Sequence, residues 1–210
     1  LWQELAGELA NLPGRVIVDL TESLLATLPS SADTKADEVI FLAREIKGLE
    51  RNTVIVHGLN QAYQEAIRLT GDAHDDLPRL EARRLFDEIR VALSRSTAKL
   101  VLLEAPNAPV LAELEVNSLD GRYAIGWDSL LEILKTEEMS EIEVVEGYLD
   151  EADELLERGR WEQARRRNRR AYDFALQLED RALMREAQEQ LIRSYLQEST
   201  AASNLEQLQE

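Results

Sequence analysis

Three carboxylates lie at or near the ends of predicted strands, where they could hold a metal ion. Asp19 ends the first apolar run, Glu104 ends the third, and Glu65 lies on the helix that follows the second. The carboxyl ends of parallel strands meet at one edge of a sheet, which is where open sheets bind their ligands. Hard divalent cations such as Mg²⁺ and Mn²⁺ take oxygen ligands. Asp19, Glu65 and Glu104 are therefore candidate catalytic residues that would bind Mg²⁺ or Mn²⁺.

A second interpretation of these residues needs no metal. Asp19 can cap the chain from Thr21 onward, and in a sequence with 41 acidic residues some carboxylates align by chance. His57 follows the second predicted strand and could act as a general base, but a lone histidine is more often structural. We favour the interpretation in which none of these residues is catalytic and no cofactor is bound.

Two enzyme families share parts of this pattern. Strands and helices that alternate around Asp19 and Glu104 resemble the layout of PIN-type ribonucleases, which implies metal-dependent RNA cleavage. The chain departs from that family where Ala105-Pro106-Asn107 stands in place of further aspartates. The runs Val16–Asp19 and Val54–Asn60 are also similar to the second half of a nucleotide-hydrolase core. Neither Gly-x-x-x-x-Gly-Lys nor Gly-x-Gly-x-x-Gly occurs in the sequence, so a phosphate loop would have to lie upstream.

One concentration of basic residues runs from Arg158 to Arg170. On a helix, Arg166, Arg169 and Arg170 share one face, because residues three and four apart are neighbours. That face could grip phosphates or an acidic peptide. The preceding helix is rich in Asp and Glu, so an antiparallel helix pair would place opposite charges side by side. We favour this intramolecular neutralisation, and we expect no nucleic-acid binding except through the Arg158–Arg170 cluster.

Composition excludes several kinds of site and partner. The 210-residue chain has a formal net charge of −17, which repels nucleic-acid phosphates at long range. It has no cysteine and two histidines, which exclude disulfides and His-rich metal sites and are typical of a cytoplasmic protein. No apolar run approaches the about 18 residues of a membrane span. A first residue other than Met, here Leu1, is typical of an excised or processed chain.

Strand-like and helix-like segments alternate through residues 1–136. Continuous apolar runs, typical of strands covered on both faces, predict strands at 15–20, 52–56, 99–103 and 123–127. Amphipathic segments predict helices at 1–12, 37–50, 60–69, 80–94, 108–114 and 129–135. The alternation predicts an α/β domain over 1–136 that has a small, mainly parallel sheet of about four strands with crossover helices.

Two local predictions within this domain are specific enough to check. Apolar residues spaced three and four apart, including Val39, Ala43 and Ile46, make 37–50 a strong helix prediction. Asn60 and Asn107 occupy matching points in two similar strand–turn–helix segments. Each is predicted to be the N-cap of the helix that follows it.

The character of the sequence changes near 136–140, where we place a domain boundary. Helices are predicted at 141–158, 161–178 and 181–197, followed by a polar tail at 198–210. The segment Gly159-Arg160-Trp161-Glu162-Gln163-Ala164 is similar to the turn of tetratricopeptide repeats, and residues 146–197 as a whole resemble that family. The resemblance implies an all-α helical hairpin with Trp161 packed inside it, and it implies no chemistry.

These observations favour a protein that binds over one that catalyses. The usual cofactor and nucleophile motifs are missing, and the clearest resemblance is to a binding scaffold. We predict a non-enzymatic protein–protein interaction or regulatory module that binds another protein or a second copy of itself through its helical part. Its contact residues are predicted to be Ala187, Leu191, Tyr195, Leu196, Arg166, Arg169 and Arg170. The metal-dependent ribonuclease and the fragment of a nucleotide-hydrolase core are the alternatives.

Overall fold

The structure is a computed structural model that describes residues 2–24, 39–71, 76–116, 124–135 and 139–207. The chain divides into two compact units, Leu1–Thr136 and Glu137–Glu210. The first contains a parallel sheet with helices and the second is entirely helical in its described part. The predicted α/β region followed by an all-α region is confirmed. No helix of the described ranges is long and apolar enough to cross a membrane.

The sheet of the first unit has four strands, all parallel. They are β1 (Arg15–Asp19), β2 (Ile40–Leu42), β3 (Arg51–His57) and β4 (Ser96–Leu103), and their order across the sheet is β2-β1-β3-β4. All five residues of β1 are buried, as the continuous apolar run predicted. β4 lies at an edge and is more exposed.

Strand register builds the core of the first unit. Ile40, Ile17, Ile55 and Val101 stand in one row across the four strands. They pack against apolar residues of two helices, α1 (Trp2–Leu9) and α5 (Trp127–Lys135). The alternate residues of β1 and β3 point to the opposite face and are buried as well. The remaining helices of this unit are α2 (Leu59–Gly71), α3 (Asp76–Leu93) and α4 (Pro109–Glu113).

The predicted helix at 37–50 is wrong in its described part. Residues 40–42 form β2, and the chain then turns, with the Glu45 carboxylate accepting a hydrogen bond from the Leu42 amide at 2.8 Å. Val39 to Ala43 are five consecutive buried apolar residues. Such a run is suited to a strand covered on both faces, and its helical spacing is a by-product of that continuity.

The predicted fourth strand at 123–127 is also wrong in its described part. Residues 124–126 have no regular structure, and α5 begins at Trp127. The Gly126 carbonyl accepts from the Leu130 amide at 3.0 Å, which is the first hydrogen bond of that helix. Trp127 then packs against the core from the helix. The fourth strand of the sheet is β2 instead.

Helix α3 begins at Asp76, four residues before the predicted start at residue 80. Its first turn contains Pro78. Proline is tolerated there because the amides of a first helical turn have no partner within the helix.

The second unit consists of α6 (Glu141–Glu157), α7 (Trp161–Gln177) and α8 (Arg181–Gln207). Ser140 and Glu143 form a reciprocal cap at the start of α6. Gly159 has a φ of +69°, a left-handed conformation that suits glycine between two helices. Trp161 beside it is only partly buried, contrary to expectation. Helix α8 continues to Gln207, beyond the predicted end at 197, and residues 208–210 lie outside the described part.

Helix α7 packs against both α6 and α8. The core between them contains Val145, Tyr148, Leu149, Ala171, Ala175 and Ala187. Small residues on α7 let its neighbours approach closely, and Tyr148 stacks on Phe174 with ring centroids 5.8 Å apart.

Candidate functional site

Asp19 and His57 lie side by side at the carboxyl ends of the two central strands. The register of β1 and β3 pairs the two residues, and Asp19 Oδ1 is 3.1 Å from His57 Nδ1. From β1 the chain crosses to β2 on one side, and from β3 it crosses to β4 on the other. The ends of β1 and β3 therefore form the switch point at which open α/β sheets bind ligands.

The carboxylate of Asp19 is fully buried and its oxygens are engaged by the protein. Oδ1 accepts from the amide and the hydroxyl of Thr21 at 3.0 and 2.9 Å, and Oδ2 accepts from the Leu24 amide at 2.8 Å. Burial by itself raises the pKa of Asp19. The hydrogen bonds from His57, Thr21 and Leu24 outweigh burial and hold that pKa below its ordinary value.

This pairing determines which nitrogen of His57 faces Asp19. An ionised carboxylate only accepts hydrogen bonds, so Nδ1 carries the proton and donates it to Asp19. Thr21 does not complete a nucleophilic arrangement, because its hydroxyl donates to Asp19 and lies 2.7 Å from Ser23 Oγ.

The other two predicted metal ligands bind elsewhere. Glu104 Oε1 accepts from the Asn60 amide at 2.9 Å, so this carboxylate caps the start of α2 from the end of β4. Glu65 is on the exposed side of α2, where it pairs with Arg68 at 2.7 Å. Within the described ranges, no group of three His, Cys, Asp or Glu side chains is placed to hold a metal ion. Asp19, Glu65 and Glu104 are therefore not brought together as one ligand group in the described part of the chain.

Neither of the two predicted asparagine caps is an N-cap in the structure. Helix α2 begins at Leu59, so Asn60 lies inside its first turn, and its side-chain oxygen accepts from the Val110 amide at 3.3 Å. The N-cap of α4 is Ala108, one residue beyond Asn107. Asn60 therefore ties α2 to α4 instead of capping its own helix.

Most of the arginines between Arg158 and Arg170 have intramolecular carboxylate partners. Arg167 makes a buried pair with Glu151 of α6 at 2.9 Å. Arg165 reaches Glu198 of α8 at 2.6 Å, and Arg166 pairs within its own helix. Carboxylates of the same chain therefore neutralise most of these arginines, as we favoured from the sequence. Only some of these carboxylates belong to the preceding helix.

Arg169 is the exposed arginine of this cluster that approaches an aromatic side chain. Within the described part of the chain it has no carboxylate within ion-pair distance, and its Nη2 lies 3.4 Å from Tyr195 Oη, to which it donates. The guanidinium of Arg165 lies over the ring of Tyr195, 4.7 Å from its centroid. Two cationic side chains from α7 thus hold Tyr195 of α8 in place.

Tyr195 belongs to an apolar stripe on the solvent side of α8. Ile192, Tyr195 and Leu196 are 59%, 49% and 64% exposed, and their three- and four-residue spacing puts them on one face. We call these three residues the α8 outer face. Among the other predicted contact residues, Ala187 is buried in the core and Leu191 is partly buried. Ala187 therefore contributes to the fold and is not available to a partner.

Two features of these sites were missed in the sequence. Ile192 was not among the predicted contacts, although its spacing from Tyr195 and Leu196 was visible. The partner of His57 was also missed, because it depends on how β1 and β3 align.

The chain was compared with protein-family models, with curated proteins and with solved structures, and none of the three comparisons finds a match.

Proposed function

We propose that the protein is a non-enzymatic interaction or regulatory module that binds another protein through the α8 outer face. The observation that supports this is the exposure of Ile192, Tyr195 and Leu196 on a face of α8 outside its buried one. A helix that is apolar beyond the face it already buries is typical of one packed between two neighbours. Covering apolar surface is worth about 25 cal/mol per Å², so a partner that covers this stripe gains free energy.

The helical unit supports the same proposal by its architecture. We propose that residues 146–197 form a tetratricopeptide-like unit, in which helices stack side by side and each new helix covers the one before it. Helix α8 is covered by α7 on one side. A partner helix would occupy the position of the next helix in the stack.

The sequence has no cysteine, which fits a reducing compartment, so we place this interaction in the cytoplasm.

The test is a capture experiment with one variant and one matched control. The full chain is immobilised and exposed to lysate from its source, and its oligomeric state is measured by light scattering. We expect Leu196→Glu to abolish the captured partner or the oligomer, since it places a charge in the proposed interface. Leu176→Glu is the control, because Leu176 is a similarly exposed leucine of α7 at 52% and its change adds the same charge. A wild-type chain that stays monomeric and captures nothing would refute the proposal.

A further inference from the structure

The partner class can be specified from the charges that surround the α8 outer face. Helix α7 contains five arginines and two acidic residues. Three of these arginines, Arg165–Arg167, are paired with carboxylates of the same chain and therefore add little net charge to this surface. Arg169 is exposed and has no carboxylate of the described residues within ion-pair distance. At physiological ionic strength charges farther away than about 8 Å are largely screened. A segment that docks beside Tyr195 therefore meets the charge of Arg169 more strongly than the distant charges of the chain.

Arg169 is the cation best placed to meet such a segment. It is exposed, no carboxylate of the described residues neutralises it, and it touches Tyr195 at the border of the apolar stripe. Tyr and Arg are enriched at the energetic centres of protein interfaces, because they combine large contact area with directed hydrogen bonds. Tyr195 is already fixed by Arg165 and Arg169, so little side-chain entropy remains to be lost when a partner binds.

The shape of the surface favours a helical partner over an extended one. A peptide that binds as a strand needs an open sheet edge with unpaired backbone groups. Helix α8 satisfies its own backbone and offers only a row of side chains. Such a row packs against a second row of the same kind on another helix. A second copy that docked through the same face would bring a like-charged Arg169 to the interface, whereas an acidic helix brings the opposite charge.

We infer that the α8 outer face together with Arg169 binds an acidic amphipathic helix of another protein, whose apolar side covers Ile192, Tyr195 and Leu196 and whose carboxylate pairs with Arg169. This inference rests on the proposed function and adds the chemistry of the partner. The carboxylate would form a charge-assisted hydrogen bond with the guanidinium.

The probe is a short, fluorescently labelled helical peptide with Leu along one side and Glu on the others. Two companion peptides replace every Glu by Lys, or every Leu by Ser. We expect the full chain to bind the Glu peptide, and to bind the Lys and Ser peptides at least about tenfold more weakly, the size of an interface hot-spot effect.

A charge reversal at Arg169 separates partner recognition from the positioning of Tyr195. We expect Arg169→Glu to weaken binding of the Glu peptide at least about tenfold and to strengthen binding of the Lys peptide. If Arg169 only positioned Tyr195, its loss would weaken both peptides alike, and the inference would be wrong. Arg90→Glu is the control, since Arg90 is an exposed arginine of the first unit and its change alters net charge equally. Circular dichroism checks that both variants are folded.

Other outcomes overturn the inference in distinguishable ways. Equal binding of the Glu and Lys peptides would refute the inference that the partner is acidic. It would leave the proposed function in place. If neither Leu-bearing peptide binds while capture or self-association still requires Leu196, the inference is wrong and the proposed function stands. A homodimer that requires Leu196 would assign the face to a second copy. Binding of a single-stranded RNA with the same dependence on Arg169 would assign it to nucleic acid.

Discussion

At the scale of single residues, the buried carboxylate of Asp19 joins the ends of the two central strands. It accepts from Thr21 and Leu24 of its own loop and contacts His57 of the neighbouring strand. Hydrogen bonds to a charged group contribute more than neutral ones, about 1.5–3 kcal/mol each by mutational series, and a buried donor left without an acceptor is costly. Asp19 is therefore expected to stabilise the switch point whether or not a ligand binds there.

Asp19→Asn is expected to lower the free energy of unfolding by about 2–3 kcal/mol, because the neutral amide presents one donor group to surrounding donors. Urea unfolding at neutral pH measures the change. Glu65→Gln is the control, since its pair with Arg68 is exposed and should contribute little to stability. Equal stability of Asp19→Asn and the wild type would show that the hydrogen bonds of Asp19 contribute nothing net.

The same comparison has a pH dependence whose sign follows from the lowered pKa of Asp19. A carboxyl group with a folded-state pKa below its unfolded value contributes stability above the unfolded value of about 3.9. That contribution is lost as the pH falls through the folded pKa. The difference between wild type and Asp19→Asn should thus be largest near neutral pH and shrink below about pH 4. A difference that grows on acidification would contradict the lowered pKa.

At the scale of elements, the turn between β3 and α2 depends on a glycine. Gly58 has a φ of +75°, and a Cβ built on it would collide with Cγ2 of Thr21. The turn therefore lies against the loop that Asp19 organises, because the Gly58 backbone closely approaches the Thr21 side chain.

Gly58→Ala is expected to cost more than about 1–2 kcal/mol of stability, because the left-handed conformation and the collision with Thr21 act together. Thermal unfolding measures it. Gly7→Ala in α1 is the control, since a Cβ there meets nothing within 4 Å and alanine favours a helix by about 0.5–1 kcal/mol. A Gly58→Ala protein as stable as the wild type would mean that the loop around Thr21 moves aside at little cost.

Helices α6 and α7 are joined by the buried ion pair of Glu151 and Arg167, both less than 10% exposed. Removing one partner leaves a buried charge, so Arg167→Met alone should cost about 3–5 kcal/mol. The double change Arg167→Met with Glu151→Leu should recover most of that loss, because it removes both charges. Chemical unfolding of the four proteins in a double-mutant cycle measures the coupling. A double variant as unstable as the single one would show that Arg167 contributes mainly through packing on Tyr148.

At the scale of the whole molecule, charge repulsion within a chain of net charge −17 opposes folding, whereas the local charge of Arg169 favours the proposed complex. Repulsion among the excess carboxylates destabilises the compact state. Attraction between Arg169 and an acidic partner favours the proposed complex. Raising NaCl from about 0.1 M to about 1 M shortens the screening length from about 10 Å to about 3 Å and weakens both effects.

We therefore expect the melting temperature to rise over this salt range while affinity for the Glu peptide falls. Differential scanning calorimetry and fluorescence anisotropy measure the two. Binding of the Ser peptide, if any, serves as the reference for electrostatic attraction without apolar contact. Affinity for the Glu peptide that rises with salt would contradict a dominant attraction to Arg169, because screened repulsion or stronger burial of apolar surface would then outweigh it.

The sequence alone determined those strands and helices whose pattern of apolar residues is compatible with only one kind of secondary structure. The continuous apolar runs around Ile17 and Ile55 required strands covered on both faces, and such strands are parallel. The run around Val101 also formed a strand, although β4 lies at the edge and is more exposed. The three helices of the second unit followed from their helical spacing and from the turn at Gly159. Local composition is sufficient in these cases because the pattern and the final environment agree.

Tertiary structure decided the rest, for two physical reasons. The apolar run from Val39 to Ala43 is compatible with either a strand or a helix. It forms a strand because it can pair with the open edge of β1. The partners of charged side chains depend on the alignment of elements distant in sequence. Asp19 meets His57 because β1 and β3 share a register, and Arg165 meets Glu198 because α8 continues past its predicted end. Arg169 keeps its charge exposed beside Tyr195 since its neighbours have already taken the nearby carboxylates.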